Sequence, residues 1–172
     1  MKDIDKKTLK FLNNYYSSFS DNGKASTSGY LGECILCDIL GWKQIDGDGY
    51  DAETEEISYV KVGFQILKDT TRTVRLEIKT MTDNTDTHIL PYSSESKKGK
   101  HHYLVVYFFT HDRVSIIPHD ELEDLLSQDG VGKTINLNPG IRHNHSKPVY
   151  SPLTKLFFKH ELDNFKTLLN ER

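Results

Sequence analysis

The sequence predicts a mixed α/β domain, a central mixed β-sheet of four to five strands flanked by helices. Three observations carry that expectation. Strand-favouring runs crowd the middle of the chain, at residues 59–67, 74–80, 102–109 and 114–117. Helical periodicities lie on both sides of them. The 172 residues hold 36% apolar side chains, with 8 Phe and 9 Tyr, which suits one core and a single domain over 1–172.

Taken in order, the first element is an N-terminal amphipathic helix over 4–19, with Ile4, Leu9, Leu12, Tyr15, Tyr16 and Phe19 at near-helical spacing. A loop at the Ser-Asp-Asn-Gly cluster follows. A second helix then starts after Ser26, Thr27 or Ser28, runs through Leu31, Ile35, Leu36, Ile39 and Leu40, and stops at Gly41. Glu33 sits among those apolar positions, and a carboxylate there needs a reason.

The segment 46–51, DGDGYD, is rich in turn residues. Beyond it, runs 59–67 and 74–80 read as a hairpin joined by the polar stretch 68–73. The run HYLVVYFF is apolar almost throughout, as expected of a central strand covered on both faces, and 114–117 follows across a short THDR turn. Residues 118–126 suggest a short helix with Asp120 and Glu121 near its positive end. After the break at QDGVGK come a strand over 134–137, an irregular Pro-containing loop, and a closing helix over 153–169, so the C-terminal loop and helix together span 134–169.

Bulk properties exclude some roles and leave others open. The net charge of -3 attracts no polyanion by itself, so nucleic-acid binding requires a local basic face. No apolar run is long enough to cross a bilayer and the N-terminus lacks a secretory signal pattern, so no membrane partner and a cytoplasmic location are expected. The two cysteines, Cys34 and Cys37, have the spacing of a zinc or redox pair. They lack a second pair and fall in an apolar helix, which favours buried reduced thiols.

The chemistry concentrates in Glu33, Asp51, Glu77 and Lys79. On a strand, residues i and i+2 share a face, so Glu77 and Lys79 of LEIKT project together while Ile78 faces the opposite layer. A second carboxylate from Asp51, brought close by the sheet, together with the Ile78 carbonyl, makes an oxygen donor set for a hard divalent cation, Mg2+ with Mn2+ as its alternative. Such a site supplies what phosphodiester hydrolysis needs: charge neutralisation at phosphate, an activated water and fixed geometry.

These residues resemble the PD-(D/E)XK nuclease superfamily, which includes many type II restriction enzymes. The match runs from Glu33 of LGECILCDILGW, the acidic position on the first core helix, through Asp51 of GYDA, the metal-binding aspartate, to Glu77 and Lys79 of EIK, the ExK pair. Tyr50 stands where many members have Pro, and the long stretch between Asp51 and Glu77 requires an inserted element around 53–68. The resemblance covers a core of about 26–126. It implies a restriction-endonuclease-like fold (helix, three strands, helix, strand) and Mg2+-dependent cleavage leaving 5′-phosphate ends.

The expected partner is double-stranded DNA, cut by a homodimer because two strands need two centres related by the symmetry of the site. Two basic clusters are expected to contact it: Lys97, Lys98, Lys100, His101 and His102, and then Arg142, His143, His145 and Lys147. The tract His143–Asn144–His145 lacks the separated histidines of an HNH nuclease and reads as chance. Asp46 and Asp48 rival Asp51 as ligands but are equally ordinary turn residues. A junction-resolving or homing-type nuclease, or a DNA-binding module on the same fold that has lost cleavage, are the alternatives.

Overall fold

The computed structural model describes residues 21–45, 49–55, 73–81, 86–90, 92, 99–137 and 150–170. In chain order these form α1 (Asp21–Leu40), β1 (Lys43–Gln44), β2 (Ala52–Thr54), β3 (Val74–Met81), β4 (Thr87–Ile89), β5 (Tyr103–Phe108), β6 (Arg113–Pro118), α2 (His119–Leu126), β7 (Thr134–Asn136), α3 (Pro152–Lys159) and α4 (Phe165–Asn170). The predicted helix over 4–19 and the run 59–67 lie outside the described residues.

Five strands make one mixed sheet in the order β1-β2-β3-β5-β6. All neighbours are antiparallel except β3 and β5, which run parallel with Ile78 opposite Val105. The predicted mixed α/β architecture, a mixed sheet with helices against it, is what the chain adopts. A separate two-stranded ladder pairs β4 with β7.

Strand β5 is central because both its faces are apolar. Leu104, Val106 and Phe108 join Met81, Ile117, Leu122, Leu153 and Phe157 in one core. Val105 and Tyr107 join Leu36, Leu76, Ile78, Ile116 and Phe165 in the other. The result is three layers: α1 and α4 on one face, the sheet, and α2, α3 and the β4–β7 ladder on the opposite face. Each fully buried aromatic or aliphatic side chain contributes roughly 1.5–3 kcal/mol, so the two cores hold the sheet from both sides.

Helix α1 ends where expected, at Gly41 with φ 68°, and the Trp42 N–H donates to the Cys37 carbonyl at 2.9 Å, closing the last turn in a left-handed cap. Its start differs from expectation: the helix begins at Asp21, not after Ser26. Short polar residues suit a helix's first turn as well as a loop, and composition alone did not separate the two. Gly32 lets α1 lie close on the sheet, because a Cβ there would fall 1.9 Å from the Thr80 hydroxyl.

One further expectation is corrected. The closing helix is broken: α3 ends at Lys159, and residues 160–162 run along β6, with the Ile116 N–H donating to the His160 carbonyl at 3.1 Å and the Leu162 N–H to the Val114 carbonyl at 2.9 Å. Arg113 holds the break through two 2.5 Å hydrogen bonds to Glu161. A continuous helix would leave that strand's outer edge unpaired.

Candidate active site

Strand β2 pairs with only the first three residues of β3, with Ala52 opposite Leu76. The register stops at Ala52, and Asp51 lies one residue beyond it. Asp51 and Glu77, far apart in sequence, both lie near enough to Glu33 for their charges to act on its carboxyl. The Asp51 N–H donates to the Leu76 carbonyl at 2.8 Å, and its carboxylate Oδ2 accepts from the Ile78 N–H at 2.6 Å. Asp51 thus takes over the edge of β3 where β2 leaves off. A strand residue's N–H and C=O point the same way, so the Ile78 carbonyl opens toward Asp51 as well.

Glu77 is fully buried, and Lys79 contacts its Oε1. The same ammonium donates to the Ile78 carbonyl at 3.3 Å. A buried carboxylate is costly unless paired, and Lys79 is a charge partner that offsets the cost. Ile78 packs into the opposite core, so the alternation expected from the sequence holds residue by residue.

Glu33, on α1, faces the same edge. Burial first, then the nearby charge of Asp51, pushes its carboxyl up from 4.5 to about 7, with Glu77 adding to the rise and Lys79 and a hydrogen bond from Gln44 opposing it. Near neutral pH this group exchanges its proton readily. One turn on, Cys37 is pushed up to about 12 by burial and by Cys34, Glu33 and Asp51. The Cys34 thiol donates to Gln44 at 3.5 Å, and both cysteines are free and buried. They pack as buried thiols, as the apolar helix suggested.

The donors around the edge are all oxygen: two carboxylates and one carbonyl, the set a hard cation prefers. Among the described residues no group of three or more His, Cys, Asp or Glu side chains is arranged to hold a metal ion. A cation here would therefore rest on Asp51, Glu77 and the Ile78 carbonyl, completed by water. The residues present fit magnesium, which keeps several waters in most protein sites, and do not fit zinc.

Of the basic residues expected to contact DNA, Lys100 is exposed and His102 is half-buried, accepting from the Arg75 N–H through Nδ1 at 3.0 Å. His101 departs from expectation. It is buried, with Nε2 3.1 Å from the Tyr92 hydroxyl, which also meets His119 Nδ1 at 2.8 Å. The two histidine rings stack edge to face, 4.6 Å between centroids, and His119 Nε2 lies 3.2 Å from Glu123. The basic run KKGKHH hid an alternation in which one histidine turns inward to pair with an aromatic hydroxyl. Lys97, Lys98, Arg142, His143, His145 and Lys147, like the rival ligands Asp46 and Asp48, lie outside the described residues.

Sequence reasoning passed over Arg75, Tyr50 and Gln44. Arg75 alone carried a signal, since it stands two residues before Glu77 on the same strand face. Among the described residues no helix is long and apolar enough to cross a membrane. No protein-family model and no curated protein matches the chain. It is similar to the solved structure of a bacterial homing endonuclease, I-Ssp6803I, at 14% identity and a TM-score of 0.45, with 88% of this chain and 93% of that chain covered. A likeness at that level has no bearing on what this chain does, which rests on the residues of the site.

Proposed function

We propose that this protein is a metal-dependent endodeoxyribonuclease of the PD-(D/E)XK type, hydrolysing phosphodiester bonds of double-stranded DNA. The observation that carries the reading is Asp51 held on the Ile78 N–H, beside Glu77, with the Lys79 ammonium on both Glu77 and the Ile78 carbonyl. Asp51, Glu77 and the Ile78 carbonyl would hold Mg2+, or Mn2+ in its place. When bound, the ion supplies Lewis-acid stabilisation of charge growing on the phosphate and lowers the pKa of a coordinated water.

The chain's own residues do the rest. Lys79, at Glu77 and the Ile78 carbonyl, would place its charge where the phosphate oxygens become more negative and orient the attacking water. Asp51 stays aimed by the Ile78 N–H, a charge-assisted hydrogen bond that fixes the carboxylate before substrate arrives. Glu33, poised near neutrality, is suited to exchange a proton with water at the edge of the site.

Incubation of supercoiled plasmid with the protein and Mg2+ tests the reading, run beside Glu77→Gln and Lys79→Gln. Nicking or linearisation by the wild type and its loss in both variants supports a nuclease; equal activity in the variants reveals a contaminant. One observation favours a second reading, a DNA-binding module without cleavage: Lys79 already satisfies oxygens of both Glu77 and Ile78. DNA binding without plasmid cleavage, in Mg2+ and in Mn2+, selects it. Restriction, homing-type and junction-resolving roles are separated by assaying linear duplex beside a fixed four-way junction. A homodimer is expected of an enzyme cutting both strands, and sedimentation equilibrium measures it.

A further inference from the structure

Strand β3 carries Arg75, Glu77 and Lys79 on one face, at i, i+2 and i+4. Successive members stand roughly 6.5–7 Å apart along the strand, two residues of rise. That is the separation of neighbouring phosphates along one DNA strand. Arg75 is exposed. Glu53 lies directly across from it in the register, yet gives its carboxylate to the Tyr50 hydroxyl at 2.8 Å and to Lys43 at 3.8 Å. The Arg75 guanidinium instead lies over the Tyr50 ring, 5.6 Å from its centroid, and donates to the Lys100 carbonyl at 3.4 Å.

Three segments converge there. Gly49, at φ 115°, makes room for the Lys100 stem: a Cβ at Gly49 would fall 2.6 Å from Lys100 Cδ. Tyr50 directly precedes Asp51. His102 is tied to the Arg75 backbone. An exposed cationic and aromatic patch is thus built rigidly onto the same strand and turn that hold the two carboxylates, in a chain whose net charge is -3.

We propose that Arg75, with Lys100 beside it, grips the DNA phosphate adjacent to the one being cleaved and so sets which bond enters the site. The proposal rests on the nuclease reading. An arginine fork takes two oxygens of a phosphate in fixed geometry, which a lysine does not, and stacking on Tyr50 keeps that fork from swinging away. Arg75 is on this view a positioning residue: it holds the strand in register with Glu77 and Lys79, and the chemistry stays with them.

The test is fluorescence anisotropy on a labelled random-sequence duplex over a salt series without divalent metal, followed by steady-state plasmid cleavage in Mg2+. The proteins are wild type, Arg75→Gln, Arg75→Lys, Lys100→Gln and the exposed control Lys155→Gln. Arg75→Gln is expected to weaken binding about tenfold and to lower the salt slope by about one, while Lys155→Gln changes neither. In cleavage, KM rises and kcat stays within a few-fold; Arg75→Lys restores the salt slope but not the full affinity. Unchanged affinity and slope in Arg75→Gln, with wild type binding and cutting, overturns the proposal alone and leaves Arg75 a structural partner of Tyr50. A fall in kcat at constant KM overturns the adjacent-phosphate assignment. Wild type that neither binds nor cuts DNA overturns the nuclease reading and the proposal with it. Should Arg75→Gln fail to fold, Lys100→Gln decides on the same readouts.

Discussion

The two central strands, β3 and β5, run side by side and do opposite work. Strand β5 is flanked by strands along its whole length, and its side chains are apolar on both faces. Strand β3 shares one full ladder with β5, but β2 accompanies it only to Leu76. From there on a carboxylate replaces the missing strand, and the charged residues gather. Packing fills the place where backbone pairing is complete; polar chemistry occupies the place where it stops. A buried backbone group without a ladder partner must find a side chain, and that demand draws Asp51 to Ile78.

The sharpest way to break the comparison is to damage each strand in turn. Phe108→Ala in β5 removes a fully buried ring packed edge to face on Phe157, and should cost about 3–5 kcal/mol in urea denaturation while any surviving folded protein keeps its cleavage rate. Lys79→Gln in β3 is expected to act on the chemistry: plasmid cleavage falls roughly 10²–10³-fold, and the denaturation midpoint falls as well because the buried Glu77 carboxylate loses the ammonium that offsets its burial. If the β5 variant lost chemistry at unchanged stability, the division of labour would be wrong.

Two smaller effects sharpen the contrast at the edge itself. Gly32→Ala forces a methyl group against Thr80, the β3 residue that also touches α1 through the Gly29 carbonyl, and should cost about 1–3 kcal/mol by displacing the helix that carries Glu33. Glu33→Gln tests the electrostatics. The carboxyl is raised from 4.5 when unfolded to about 7 when folded, so the folded state holds its proton more tightly and stability falls as pH rises from 4.5 to 7. The variant should match wild type below that window and exceed it above. The gain is on the order of 1 kcal/mol once solvent screening of this partly exposed group is allowed for. Thermal melts at acidic and alkaline pH measure the difference, and a gap that shrinks with rising pH would contradict the assignment.

Much of this was legible in advance, and the failures share a cause. Period-two alternation and the apolar run HYLVVYFF identified β3 and β5, and Gly41 marked the end of α1, because those signals are local. The closing helix was misjudged since Leu153, Phe157, Leu162 and Phe165 keep apolar spacing across a break that only β6 demands. His101 was placed with the surface lysines because nothing in KKGKHH shows that Tyr92 waits inside. Arg75 was passed over because its meaning depends on Tyr50 and Lys100, 25 residues away on either side at most.

By itself the amino-acid order determined that Glu77 and Lys79 stand on one face with Ile78 behind them, since the pleat of a strand permits nothing else. It also determined that the chain carries enough apolar residues at the right periods for a covered sheet. The meeting of Asp51 with the Ile78 N–H was decided by tertiary structure. That proximity depends on the register between β2 and β3 and on where β2 ends, which are properties of long-range pairing and have no counterpart in any local stretch of sequence.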